Sequence, residues 1–289
     1  MARFFNEATN TGVMILNCAG KALSLEQPVV MGILNITPDS FSDGGQFDSV
    51  DTALHRTEQM LREGAGIIDV GGESTRPNAQ PVSIQNELDR VIPVIEAITQ
   101  RFDTIVSIDT TKSEVMRHAV DAGAGIINDV LGLRAEGAVD VASKTDAAIC
   151  LMHMQGEPRT MQENPVYNDV VADVHNFLEQ RVQACEAKGI CRERLLVDPG
   201  FGFGKNLTHN LSLMKHLSRL NDLGVPVLVG VSRKSMIGAI LDKDVQVRLY
   251  GSIALHSIAL MQGASIIRAH DVEAAVDAVK ICYAVNTAT

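Results

Sequence analysis

The chain has 289 residues, 46% hydrophobic and 21% charged, with a formal net charge of −10, which suits one large globular domain or two small ones. The acidic balance excludes a nucleic-acid partner held by a general basic surface, so any anionic ligand needs a local cluster of cations. No apolar run reaches the roughly 18 residues of a membrane span, and "MARFFNEATNTG" lacks a basic segment followed by an apolar one; the expectation is a cytoplasmic protein with no membrane contact.

In chain order, residues 1–27 stand apart as an N-terminal extension. Within them "VMILNCAGKALSLEQ" reads as a β-hairpin turning at Ala19 and Gly20, placed to cap the N-terminal end of a barrel. From residue 28 to 289 the pattern changes. Short runs rich in β-branched residues recur: "VVMGILN" (29–35), "GIIDVGG" (66–72), "TIVSIDT" (104–110), "GIINDV" (125–130), "AICLMHM" (148–154), "LLVDPGF" (195–201), "PVLVGVS" (226–232) and "ASIIRAHD" (264–271). Most lack polar alternation, as strands buried on both faces of a parallel sheet do. Amphipathic segments lie between them: "SVDTALHRTEQMLREG", "SIQNELDRVIPVIEAITQRF", "DVVADVHNFLEQRVQACEAKG" and "HNLSLMKHLSRLNDLG". Several end in glycine where a helix C-cap is expected. Eight strand and helix alternations in about 260 residues match a single (β/α)8 TIM barrel of the α/β class. An open, doubly wound sheet is the alternative. Five scattered cysteines (Cys18, Cys150, Cys185, Cys191 and Cys282), with no CxxC pair, give neither a disulfide framework nor a zinc site.

In such a barrel, chemistry belongs at the C-terminal ends of the strands. Those ends carry Asn35, then Glu73, Thr75 and Arg76, then Asp109, Asn128 with Asp129, His153, Asp198, Ser232 with Arg233 and Lys234, and Arg268 with His270. Packing does not require so uniform a polar set. Asp109, Asn128 and Asp198 offer acceptors and an amide suited to a flat, nitrogen-rich heterocycle. Arg76, Lys205, Arg233, Lys234, Arg268 and His270 suit an anion such as a phosphate or carboxylate. The combination implies a ligand with both features. His153 alternates to the outer face of its strand and Glu73 would repel an inward anion, so both read as structural. Met152 is either pocket wall or core. "LLVDPGFGFGKN" (195–206) fits neither a Walker loop nor a dinucleotide fingerprint. Its glycines are expected to let the backbone pass close to a flat ligand, with Lys205 serving either the loop or the ligand.

Eight strings in register, "MGILNITPDSFSDGG", "GIIDVGGESTRP", "VSIDTTK", "IINDV", "CLMHMQG", "LLVDPGFGFGKN", "VLVGVSRKSMIG" and "IIRAHDV", resemble the successive signatures of the dihydropteroate synthase family, from Val29 to about Val285. The resemblance implies transfer of the dihydropterin methylene from its diphosphate to 4-aminobenzoate. It implies a pterin site of Asp109, Asn128, Asp198 and Lys234, walled by Met152. It places pyrophosphate against Asn35, Thr75, Arg268 and His270, with magnesium on Asn35 and phosphate oxygens. Asp109, Lys234, Arg268 and His270 are the implied catalytic set. The aminobenzoate pocket and its covering loops are implied at Asp39, Phe41, Thr75, Arg76, Pro77, Phe203, Ser232 and Lys234. A homodimer packed through late helices such as "VRLYGSIALHSIALMQ" is also implied. Two other readings are a pterin-dependent methyltransferase, which has no need for the "SRKS" lysine, and a non-catalytic pterin-binding paralogue, which has no need for a second-substrate pocket.

Overall fold

The computed structural model of the chain describes residues 14–36, 46–74, 80–156 and 160–289. Strands β1 (Ile15–Cys18) and β2 (Lys21–Ser24) pair antiparallel, with Cys18 opposite Lys21. Ala19 and Gly20 both take positive φ, 52° and 85°, the geometry a two-residue turn needs to match strand twist. The expected hairpin is therefore present. Its place is set by apolar burial, because Leu16, Cys18 and Leu25 join Met31, Ile67, Ile105, Ile126, Leu228 and Ile266 in one cluster inside the barrel floor. Ala19 donates its backbone N–H to the Asp146 carbonyl at 3.1 Å, tying the turn to the barrel's base.

Eight barrel strands come next: β3 (Val29–Asn35), β4 (Ile67–Gly71), β5 (Ile105–Asp109), β6 (Ile126–Asp129), β7 (Ala148–Met152), β8 (Leu195–Asp198), β9 (Leu228–Val229) and β10 (Ile266–Ala269). All barrel pairings are parallel, in the order β8-β7-β6-β5-β4-β3-β10-β9. A single bridge between Val197 and Val227 brings the two edges of the sheet together. The TIM-barrel expectation is met and the open doubly wound sheet is excluded. β9 is shorter than the expected 226–232 run: Pro226 has no N–H to give, and after Val229 the chain turns away toward Ser232. β8 likewise stops at Asp198, because Pro199 cannot donate and Gly200 takes φ +67°.

Helices alternate with the strands: α1 (Gln46–Arg62), α2 (Ile84–Arg101), α3 (Ser113–Asp121), α4 (Ala138–Ser143), α5 (Val170–Ala187), α6 (Leu207–Lys215), α7 (Ser235–Leu241), α8 (Leu249–Met261) and α9 (Val272–Thr287). Their inner faces and the outer faces of the strands form the main core, from Val30 and Met60 through Leu178 to Val279. Side-chain caps start several of them. Ser83 accepts from the Asn86 N–H at 3.2 Å ahead of α2, and Asp169 accepts from Val171 and Ala172 ahead of α5. The segment expected as one helix over 209–224 divides at His216 into α6 and a 3-10 helix, Leu217–Leu223. Leu217, Leu220 and Leu223 are its buried residues, and a spacing of three suits the 3.0 residues per turn of a 3-10 helix better than an α-helix.

Candidate active site

Parallel register sets the barrel's C-terminal rim, because Asn35, Gly71, Asp109 and Asn128 lie side by side across β3, β4, β5 and β6. Gly71 carries no side chain between two polar ones. A Cβ there would lie 3.6 Å from Asn35 Oδ1 and 3.7 Å from Asp109 Cβ, so the glycine leaves their shared space open. Across the barrel, Met152 of β7 is level with Asp198 of β8.

Arg268 enters from β10. Its Nη2 donates to Asp109 Oδ2 at 2.8 Å and its Nε to Asp69 Oδ2 at 2.6 Å. Burial works against the guanidinium's charge, but the two carboxylates outweigh it and hold Arg268 firmly protonated. Asp109 is pushed up to about 7, mainly by burial. Arg268 opposes the rise, while Asp69, Asp129 and Glu87 add to it. Asn128 Nδ2 lies 3.4 and 3.3 Å from the two Asp69 oxygens. Asp198 is buried and its carboxyl is raised by that burial, against the pull of Lys234 and of the Gly200 N–H, which donates to Oδ1 at 2.7 Å. Asp198 Oδ2 is the other oxygen, and a Cβ on Gly230 would come within 3.9 Å of it.

Lys234 stands just before α7, and its ammonium donates to the Phe201 carbonyl. The same Nζ sits 4.6 Å from the centre of the Phe203 ring. Burial lowers its pKa to about 8 against the attraction of Asp198. Met152 and Phe203 belong to a small apolar cluster with Val130 and Met154, which forms a non-polar wall beside the ionic groups. His270 and Ser232 are joined, with His270 Nδ1 and Ser232 Oγ 3.1 Å apart and the His270 N–H donating to that Oγ at 3.2 Å. Arg56 of α1 donates to the His270 carbonyl at 3.0 Å.

The structure thus brings Asp109, Asn128, Asp198, Lys234, Arg268, Met152, Phe203, Ser232, His270 and Asn35 to one end of the barrel. Asp39, Phe41, Thr75, Arg76 and Pro77 lie outside the described residues. Two candidate cations are used elsewhere. Arg233 pairs in two-pronged fashion with Asp271, with Nε to Oδ2 at 2.9 Å, so it is not offered to a ligand. Lys205 is buried in the loop after β8, where Nζ meets the Gly200 and Phe203 carbonyls at 2.9 and 3.0 Å and His153 Nδ1 at 2.8 Å. It organises that loop. Burial and the neighbouring Lys205 cation push the His153 pKa down to about 2, so its ring is neutral, and it packs edge-on against Phe177. Asp129 turns away from the mouth to accept from the Leu131 and Leu133 N–H groups at 2.8 and 2.7 Å. Glu73 is tied down by Lys112 and by the Val82 N–H at 3.1 Å.

The glycines after β8 answer to protein as well as to ligand. A Cβ on Gly200 would lie 1.9 Å from the His153 carbonyl oxygen, and one on Gly204 2.4 Å from that of Gln155. These two positions let the β8 loop press on the β7 loop; the expectation that they face a flat ligand is revised accordingly. Asp69 joins this group although a reading of strand ends does not reach it. Its signal is a carboxylate in the middle of an apolar strand, one inward-facing position below the rim.

The sequence model described as "Pterin binding enzyme" matches residues 31–270. The chain is 52% identical over 275 residues to the dihydropteroate synthase of Escherichia coli K12, covering 95% of this chain and 98% of the relative. It superposes with a TM-score of 0.91 and 52% identity on a Yersinia pestis dihydropteroate synthase solved with a sulfonamide drug complex, covering 95% of this chain and 100% of that one. It is also similar to a Xanthomonas albilineans dihydropteroate synthase solved with 4-aminobenzoic acid, at 48% identity and a TM-score of 0.91, covering 96% of this chain and 100% of that one.

Proposed function

The chain belongs to the pterin binding enzyme family, among its dihydropteroate synthases, and from that premise we propose how the barrel mouth carries out the family's reaction. It is a transferase of folate synthesis: it joins the dihydropterin methylene, carried as a diphosphate ester, to 4-aminobenzoate and releases 7,8-dihydropteroate and pyrophosphate. The observation that carries the site reading is the convergence of two carboxylates, the buried Asp198 and the half-buried Asp109, with one amide and Lys234 at the C-terminal end of a closed barrel.

In this reading Asp198 accepts N–H groups from the aminopyrimidine edge of the pterin, since each carboxylate oxygen has a second lone pair after Gly200 is served. Asn128 and Asp109 take the opposite side of the ring, Lys234 meets its carbonyl, and Met152 with Phe203 supplies the apolar wall. The diphosphate lies toward Asn35, His270 and Arg268, with Thr75. The C–O bond to the diphosphate breaks first, the electron pair leaves with pyrophosphate, and the pterin delocalises the positive charge left on its methylene. Asp109, ionised, stabilises that cation through space. The aniline nitrogen of 4-aminobenzoate then forms the new C–N bond and gives its proton to water. Phe203, Ser232 and Lys234 hold that second substrate, with Asp39, Phe41, Thr75, Arg76 and Pro77 on the covering loops. Positioning supplies the remaining rate.

Magnesium fits the donor set in one specific way. Among the described residues no group of three or more His, Cys, Asp or Glu gathers into a metal cage. The Asn35 amide oxygen is a single hard donor at the rim, so the ion would be held chiefly by diphosphate oxygens and water and would neutralise the leaving group's charge. A homodimer packed through α8 and α9 is supported by the exposure of Tyr250, Ile258, Met261, Ile281 and Val285 on those two helices. A cytoplasmic location is supported by five unpaired thiols, four of them buried. No described helix is long and apolar enough to cross a membrane. The test is direct: dihydropterin diphosphate, radiolabelled 4-aminobenzoate and magnesium should yield labelled dihydropteroate, and absence of product from folded protein would overturn the assignment.

A further inference from the structure

We propose that Asp69 is the positioning residue of the site, fixing Arg268 and Asn128 at once and so setting both the diphosphate end and the ring end of the pterin subsite. The inference rests on the pterin-diphosphate reading above. Asp69 lies in β4, level with Ser107 of β5, and is fully buried. A carboxylate removed from water is costly unless charge and hydrogen bonds compensate it. Here the compensation comes from two groups of the site itself: Arg268 Nε at 2.6 Å and Asn128 Nδ2 at 3.3 Å.

The geometry has two consequences. The guanidinium is planar, and it is gripped at Nε by Asp69 from β4 and at Nη2 by Asp109 from β5. Two anchors on a rigid plane fix its orientation, so Nη1, which has no hydrogen-bond partner among the described residues, can point in one direction only. The second consequence concerns Asn128. With Nδ2 directed at Asp69, turning the amide over would set its oxygen against a buried carboxylate. The end of Asn128 that faces a ligand is therefore decided by Asp69. Asp109 is affected too, because it shares Arg268 with Asp69 and is faced by Asp129 and Glu87 as further negative groups. Asp69 itself lies one inward-facing position below the rim and acts through its neighbours.

The test compares steady-state constants of the full chain with Asp69→Asn, alone and combined with Asn128→Ala. An asparagine keeps the volume and one acceptor but loses the charge that anchors the guanidinium. Asp69→Asn should raise the KM for dihydropterin diphosphate by about tenfold or more, from the loss of charge-assisted bonds, and leave the KM for 4-aminobenzoate unchanged. It should cost less in the Asn128→Ala background than in the wild type. A purely structural role would lower the amount of active enzyme and move neither KM. An unmoved pterin KM, or full additivity with Asn128→Ala, overturns the proposal. Should Asp69→Asn fail to fold, Asp69→Ser provides the same test, since the shorter hydroxyl reaches neither Arg268 nor Asn128 and leaves both ligand-facing side chains in place; a near-wild-type pterin KM in that variant overturns it equally. If the wild type itself forms no dihydropteroate, the site reading fails, whereas wild-type turnover with an unmoved variant KM defeats this inference alone.

Discussion

The two ends of the barrel are built from the same eight strands and solve opposite problems. At the N-terminal end the hairpin seats Leu16, Cys18 and Leu25 on Met31, Ile67, Ile105 and Ile126 as an apolar plug. At the C-terminal end, Asp69, Asp109, Asp198, Arg268 and Lys234 crowd into the same strands' other termini. One end gains free energy by excluding water; the other retains charges that burial disfavours and offsets them against one another. Strand residues two positions apart on one inward face, such as Ile67 and Asp69, thus belong to the apolar plug or to the ionic end according to depth.

Substitutions should separate the two ends. The largest expected effect on chemistry comes from Lys234→Ala, which removes a cation facing Asp198 and should lower kcat/KM by about 10²–10³-fold while the protein stays folded. Near-normal turnover would remove Lys234 from the site. At the opposite end, Leu16→Ala empties part of the plug and should cost about 2–5 kcal/mol of stability in denaturant titrations, with kcat/KM per folded molecule unaltered. A large loss of specific activity there would show that the ends are coupled.

pH sharpens the contrast further. The proposed pterin subsite requires Asp109 ionised and Lys234 protonated, and their pKa values of about 7 and about 8 leave both charged chiefly in the window between. Activity should therefore form a bell with limbs near those values, and a flat profile across that range would contradict the assignment of both residues. The same shifts act on stability with a definite sign. Asp109 holds its proton in the folded state up to about 7, so the unfolded chain is favoured progressively as pH rises from about 4 to that value. Lys234 is depressed to about 8 when folded, so its penalty is full below that pH and relieved above it, toward the ordinary lysine value. Both penalties overlap where activity peaks. Asp109→Asn should accordingly gain thermal midpoint relative to wild type as pH is raised from about 4 to about 7, and a constant difference would refute the linkage. The smallest effect is expected at a helix cap: Ser83→Ala removes the cap of α2 and should cost about 1 kcal/mol in denaturant titrations, and an unchanged stability would show that the cap contributes nothing.

Much of this architecture is legible in the residues alone, because buried parallel strands announce themselves as β-branched runs and the hairpin turn as Ala19-Gly20. Strand length is less so. β9 keeps only Leu228 and Val229, since proline and the departing chain end its pairing early. The break at His216 is not read from the amphipathic pattern of 209–224, because leucines spaced by three also fit one face of an α-helix. Site membership is harder to read, because charge alone does not say which way a side chain turns. Arg233 finds Asp271, thirty-eight positions later, and Lys205 finds three backbone carbonyls, two of them in its own loop. Asp69 escapes a reading confined to strand ends, although a lone carboxylate within "GIIDVGG" is itself conspicuous once each inward-facing position is considered. Residues 37–45 and 75–79, which carry the aminobenzoate-loop candidates, lie outside the described residues.

If the ionic end of the barrel transfers the dihydropterin methylene to 4-aminobenzoate, the new C–N bond and the leaving group must appear together. Purified protein with dihydropterin diphosphate, labelled 4-aminobenzoate and magnesium should accumulate labelled dihydropteroate and pyrophosphate in equal amounts. Folded, unaggregated protein that forms neither would contradict it.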